Sequence, residues 1–433
     1  VTGRIAGLAL ALIAILALPI AAHAEGPIGA WVPGPPMVEH PDYHLALVLK
    51  DGRVLIVSSS GAEVYDPVAN RWSQAGTPAV NRGNQAATLL RDRRVLVTGG
   101  IDGATGRSVP TAELYDPTTN TWAAAASMVG RRYDHSATLL ADGRVLVAGG
   151  TRSTVILDST EIYDPTSNSW SPGPSLPSPR TGHTATLLPG GRLLVVGGNG
   201  TSDPLATADL YDPRVNRWSS TNPMGTARST LSSILLKDGR VLAVGGVPGV
   251  SGPPIAELFN PQLETWSPAG SSTQPTFYYG AATTMLKDGR VFICGGTNDT
   301  LRGDGLVVGY VYDPATDRWV TTNPMIQGRV SHSASLLPDG RVLVAGGRDR
   351  QVNGRGLDTT EIFDANATVA ASPATTAGLS VVSSSAAAAP IQGLASRPLA
   401  APLLVGGVAV LAIGILGTVL VRRQRVRRRR RSL

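Results

Sequence analysis

Apolar and polar residues alternate along this chain in short runs, and one arrangement of them returns again and again. Over 134–150, DHSATLLADGRVLVAGG, two apolar runs flank Asp142-Gly143, a dipeptide that favours the φ > 0 backbone of a tight two-residue turn. An antiparallel pair of strands is predicted. Ten residues on, EIYDPTSNSW places Glu161 and Tyr163 on one face of a short strand and starts a turn at Asp164-Pro165. Asn168 tolerates the left-handed conformation that ends the turn, which leaves Trp170 on the returning strand. Four such strands make one small twisted sheet whose apolar face needs a neighbour, so copies must stack.

The copies are present. Double glycines close a strand at Gly99-Gly100, Gly149-Gly150, Gly197-Gly198, Gly245-Gly246, Gly295-Gly296 and Gly346-Gly347, and an earlier copy, DGRVLIVSSS over 51–60, has serines in their place. The companion segments are EVYDP (63–67), ELYDP (113–117), EIYDP (161–165), DLYDP (209–213), ELFNP (257–261), VYDP (311–314) and EIFDA (361–365). A diglycine, a spaced Tyr and Trp, and this period resemble the kelch repeat, which implies an all-β, seven-bladed β-propeller over 25–364.

Six copies end in Trp72, Trp122, Trp170, Trp218, Trp266 and Trp319, the last copy has no tryptophan after Phe363, and Trp31 is left over near the front. The simplest account is closure of the ring by the N-terminal strand around Trp31, which becomes the outer strand of the final blade and leaves only short edges. The tryptophans, together with Tyr65, Tyr115, Tyr163, Tyr211 and Tyr312, are expected to fill the packing between blades. At ~25 cal/mol/Å², burial of ~150–250 Å² per ring stabilises by at most about 4–6 kcal/mol.

Outside the repeat the composition changes. Residues 1–24 carry Arg4, an apolar run and Ala22-His23-Ala24, the pattern of a secretory signal peptide, with an uncleaved anchor as the alternative. Residues 365–397 are an Ala/Ser/Thr-rich linker, and 398–421 are uncharged and mostly apolar. As a helix rising ~1.5 Å per residue, this stretch exceeds a hydrocarbon core of roughly 30 Å, so a transmembrane helix is expected, or else a processed sorting signal. The tail, 422–433, carries eight of the chain's 38 Lys and Arg. It should stay cytoplasmic and leave the propeller extracytoplasmic, a single-pass arrangement at the cell membrane. With the tail and Arg4 set aside, cations and acids nearly balance, which removes the net charge of +7 as an argument for nucleic acid. One cysteine, Cys294, excludes an internal disulfide.

Candidate chemistry lies in the loops that lead into each inner strand and in those between second and third strands, the face to which the resemblance points. His44, Gln85, His135, His183, Leu231, Ala281 and His332 share one slot. A ring of imidazoles invites a metal, but His-x-Ala belongs to the kelch pattern, so hydrogen bonding is the reading taken and no metal or cofactor is assigned. Three residues earlier stand Arg82, Arg132, Arg180, Arg228 and Arg329, with Pro41 and Tyr278 breaking the series. They are candidates to grip carboxylates or anionic sugars, or else to tie each loop to a neighbouring blade's carbonyls or acid. Arg302, Asp304, Arg348, Asp349, Arg350 and Arg355, in the long loops 297–309 and 348–360, are further candidates.

The resemblance also extends to galactose oxidase-like copper enzymes, which would require a Cys–Tyr cross-link and a following domain that supplies a ligand. Cys294 in FICGG stands where other copies place core residues, and nothing foldable follows Asp364. No catalytic triad, phosphate loop or sialidase-type box is present. The chain therefore reads as a membrane-tethered binding or protein-interaction module without a catalytic role, its ligand a protein or glycan at the propeller mouth. A surface carbohydrate-active enzyme, epimerase-like or copper radical oxidase-like, is the alternative.

Overall fold

Repetition of the four-strand pattern produces a ring. The computed structural model describes residues 26–41, 44–248, 256–270, 279–298, 304–349 and 356–367; the expected signal peptide, the expected transmembrane helix, the basic tail and nearly all of the expected linker lie outside them. The described residues form seven four-stranded antiparallel sheets and three small two-stranded ones in the loops, and no helix long and apolar enough to cross a membrane occurs among them. The inner strands are Leu45–Val48, Ala86–Leu89, Ser136–Leu139, Thr184–Leu187, Ser232–Leu235, Tyr279–Met285 and Ser333–Leu336, and each contacts the next around a complete circle.

The second strand of each blade is buried on both faces, which is why it reads as a continuous apolar run such as VLVA at Val145–Ala148. Outside the sixth blade, third strands carry a buried acid and a core aromatic two residues apart on one face. Tyr163 meets Trp170 across the strand pair at 5.0 Å, its hydroxyl donates to Asn168 Oδ1, and Trp170 Nε1 donates to the Ala126 carbonyl of the preceding blade. Trp122, Trp218 and Trp319 repeat that bond to Ala75, Pro174 and Ala269. The aromatic pairs thus pack between blades, as the spacing predicts.

Closure takes the expected route. Ala30–Pro33 pairs with Thr360–Asp364 and completes the seventh sheet. Trp31 packs against Phe363 with ring centroids 4.8 Å apart and planes tilted by 41°, and its Nε1 donates to the Asn323 carbonyl of the sixth blade, so the borrowed strand makes the inter-blade bond that its counterparts make.

Two details differ from expectation. The Asp-Gly turns are not two-residue turns: Leu140 and Arg144 pair, only Gly143 has positive φ (96°), and Asp142 folds back to accept from Arg144. This is a three-residue loop, a type I turn closed by a left-handed glycine, and the aspartate caps rather than turns. In the first blade, Ser58 pairs with Gly61, so second and third strands join through Ser59-Ser60 alone. With no loop to carry, that blade has no use for a diglycine.

Elsewhere the diglycine is steric in origin. A Cβ at Gly149 (φ 61°) would lie 2.5 Å from the Arg180 carbonyl oxygen and 3.0 Å from His183 Cε1, both on the next blade. Gly150 N donates to that same carbonyl at 2.8 Å.

Candidate functional site

Six of the seven blades contribute to the mouth one residue held in the left-handed region: Asn84, Asp134, Gly182, Thr230, Gly280 and Ser331 have φ of 56, 52, 59, 53, 69 and 57°. Each precedes the histidine slot. Their backbones form an axial chain in which Asp134 N donates to Asn84 O, Gly182 N to Asp134 O, Thr230 N to Gly182 O and Ser331 N to Gly280 O. Asn84 Nδ2 donates to Asp134 Oδ1 at 2.8 Å, and burial raises the Asp134 carboxyl above its ordinary value while Asn84 opposes the rise. A cavity of about 260 Å³ opens there, lined by His44, Gln85, Asp134, Ser331 and His332 among others.

The histidines do not converge on an ion. His135 Nε2 lies 2.9 Å from Thr98 Oγ1, His183 Nε2 2.9 Å from Ser136 Oγ, His44 Nε2 2.9 Å from Ser333 Oγ, and His332 Nε2 3.4 Å from Cys294 Sγ. Every one of these bonds reaches the preceding blade around the ring. Burial pushes His135 and His183 down to about 3 and His44 to about 4, and holds His332 well below its ordinary value; all four are neutral staples. Gln85 fills the slot by donating to the Val57 carbonyl. Cys294 is fully buried and burial raises its thiol. Among the described residues, no three His, Cys, Asp or Glu side chains group as metal ligands.

The five arginines proposed to grip anionic ligands sit elsewhere. Arg82, Arg132, Arg180, Arg228 and Arg329 are buried and paired with Glu113, Glu161, Asp209, Glu257 and Glu361. Arg132 is typical: Nη1 donates to the Gly149 and Ser159 carbonyls and Nη2 to Glu161, whose two oxygens also accept from Val129 N and Gly130 N. Desolvation lowers the guanidinium, with Glu161 working against the shift. The series therefore ties loops, and the acid it uses belongs to its own blade rather than to a neighbour. Two blades depart from the series. In the sixth blade Tyr310 stands where the acid would be and Tyr278 where the arginine would be, while the first blade has Pro41 and a Glu63 that accepts only from Val38 N and Glu39 N. Burial holds the Glu63 carboxyl above the ordinary carboxylate range.

Among the loop candidates, Arg302, Arg350 and Arg355 lie outside the described residues. Asp304 is half-buried, Arg348 exchanges backbone hydrogen bonds with Val330, and Asp349 is buried, so these residues do not form one exposed cluster. Sequence reasoning missed two groups. One is the axial pair Asn84–Asp134; the other is Arg107, Arg131 and Tyr133, which line a cleft of about 480 Å³ between the second and third blades on the mouth face. Both depart from the repeat, and departure was the available signal.

Comparison with known proteins agrees with this architecture. The Kelch motif matches residues 82–129, 131–177, 179–225 and 281–326. No curated protein matches the sequence. Among solved structures, a novel fungal alcohol oxidase with catalytic diversity among the AA5 family, in complex with copper, is similar to this chain with a TM-score of 0.63, 19% identity, and coverage of 78% of this chain and 76% of that one. At that identity the likeness is one of fold alone. The chain thus carries Kelch motifs on a seven-bladed β-propeller.

Proposed function

We propose that this chain is an extracytoplasmic, membrane-tethered interaction module whose propeller offers its mouth face to a partner protein. One observation supports the reading above others: the polar residues that recur in the repeat are consumed in holding it together. Arginines bind carboxylates, histidines bind hydroxyls of the preceding blade, and glycines admit the next blade's backbone. Residues free to meet a ligand are those that differ between blades, and they sit in loops on a rigid scaffold. The apolar leader and the uncharged 398–421 stretch with its arginine-rich tail support the tethered topology.

The alternative, an oxidase of the kind the fungal neighbour represents, draws on the shared fold. The donor set does not fit it: Cys294 is buried against His332, and His44, His135, His183 and His332 are each spent on a different blade seam. A photo-cross-linking residue at Thr154, on the mouth, should trap a defined protein partner that the same residue at Val215, on the opposite face, does not trap. Trapping from both faces or from neither refutes the module reading. Stoichiometric copper in the purified full chain, or turnover of simple sugars by it, would move the assignment to the enzyme class.

A further inference from the structure

Two sets of arginines recur in the described repeat with carboxylate partners. Those of the leading loops pair with buried carboxylates, and those of the Asp-Gly-Arg turns pair with the aspartate two residues back, as Arg53 with Asp51 and Arg144 with Asp142. Arg107, Arg131 and Arg152 belong to neither set. Among the described residues none of the three takes part in an ion pair, all three are exposed, and all lie on the mouth side of the second and third blades. Arg107 and Arg131 line the 480 Å³ cleft together with Tyr133, Ser108, Ser153 and Thr154, and no carboxylate lines it. Asp102, in the same loop as Arg107, spends Oδ1 on its own turn, accepting from Ala104 N.

The cleft is walled by ordered backbone. On one side Asp102 N donates to the Arg107 carbonyl and Val109 N to Gly100, which folds 99–109 into a fixed loop. On the other, Thr151 and Tyr133 exchange hydrogen bonds of 2.8 and 3.1 Å, which fasten the small hairpin 151–156 to the loop that carries Arg131. A cleft of nearly equal size, about 470 Å³, on the opposite face shows what compensation looks like: Arg91 and Arg144 line it, but so do Asp92, Asp142 and Asp164. Size does not separate the two clefts; uncancelled positive charge does.

We propose that the cleft between the second and third blades anchors a carboxylate presented by an acidic peptide segment of the partner, which rests on the interaction-module reading above. Two guanidinium groups supply planar, paired donors for such a group, and the hydroxyls of Ser108, Ser153 and Thr154 supply more. The Tyr133 ring and Ile101 give the carbon stem an apolar wall. The volume suits an anchoring side chain, so the remainder of a standard interface, roughly 800 Å² per partner, must come from the surrounding loops.

The test pans a display library of seven-residue peptides against the full chain and measures binding of the enriched peptides to variants. Enriched peptides should carry Asp or Glu. Arg107→Glu/Arg131→Glu should weaken them at least tenfold, Arg107→Lys/Arg131→Lys should retain part of the affinity, and Arg91→Glu on the opposite face should change it less than twofold. Unchanged far-UV circular dichroism and melting temperature show that the variants fold. Acidic peptides that ignore the double charge reversal, or that lose as much with Arg91→Glu, overturn the proposal. Enriched peptides without acids overturn it while leaving the module reading in place. If no peptide is enriched and an oligogalacturonate binds instead, both fall and the cleft is a sugar site.

Discussion

Arg132→Met should destabilise the protein by about 3–5 kcal/mol at pH 7, the usual cost of leaving one partner of a buried ion pair behind. Three bonds set the magnitude. Glu161 loses its charged partner at 2.7 Å, and the Gly149 and Ser159 carbonyls lose donors at 2.9 Å, while Met fills most of the vacated volume. Glu161 keeps two amide donors, Val129 N and Gly130 N, which reproduces the first blade, where Glu63 is held by two amides with no arginine and burial keeps its carboxyl raised. The pH dependence follows. A carboxyl that binds its proton more tightly in the folded state than in the unfolded one adds stability as pH falls through its folded value, so the variant's deficit should narrow between pH 7 and 5. Adding Glu161→Gln to Arg132→Met should recover at least about 1 kcal/mol at pH 7 by removing the stranded charge. Urea unfolding of the full chain at both pH values, followed by circular dichroism, gives the midpoints, with an unchanged m-value as the check on two-state behaviour. A loss below about 0.5 kcal/mol, the range of ordinary surface changes, or a deficit that does not vary with pH, would refute the structural role assigned to the arginine series.

Two further predictions concern the seams between blades. Because His44, His135, His183 and His332 are neutral when folded but titrate near 6.5 when unfolded, stability should be fully present above that value and lost as pH falls toward 4, at about 1.4 kcal/mol per pH unit for each proton taken up; a urea midpoint that stays level from pH 7 to 5 would contradict the buried neutral rings. Trp31→Ala should cost about 3 kcal/mol, at the low end for a large aromatic because the indole is only half-buried, and Trp31→Phe about 1 kcal/mol for the lost bond to Asn323; thermal melting that leaves Trp31→Ala level with wild type would remove the closing strand from the account.

Blade number and closure were legible because each blade advertises itself with an apolar strand pair and a Tyr or Phe paired with a Trp, and the surplus Trp31 matched the missing one. The roles of the polar residues were harder to read, for a physical reason. A residue that recurs at every blade is answering a need that recurs at every blade, and the recurrent needs are local: satisfied carbonyls, capped turns, room for a neighbour. Repetition of Arg82 and its counterparts was therefore a mark of structure, and its proper partner, the acid two residues before each tyrosine, was repeating in step with it. In the sixth blade both are replaced, by Tyr278 and Tyr310. Asp134, Arg131 and Tyr133 sit where other copies place Gly182, Pro179 and Thr181, and such breaks in the pattern answer to nothing the fold requires.

The seam between the seventh and first blades separates two jobs that the arginine position performs together elsewhere. Its carbonyl receives the diglycine amide of the preceding blade, and its side chain binds the acid of its own. Pro41 occupies that position in the first blade. Its carbonyl still accepts from Gly347 N at 3.2 Å, and His44 still reaches Ser333 across the seam. The guanidinium is gone, and Glu63 makes do with two amides. Ring closure therefore depends on backbone geometry that any residue with a carbonyl can supply, whereas the ion pair rigidifies one loop at a time. A blade can lose the guanidinium, as the first has done, without opening the ring, which leaves the loops of the mouth face free to diverge.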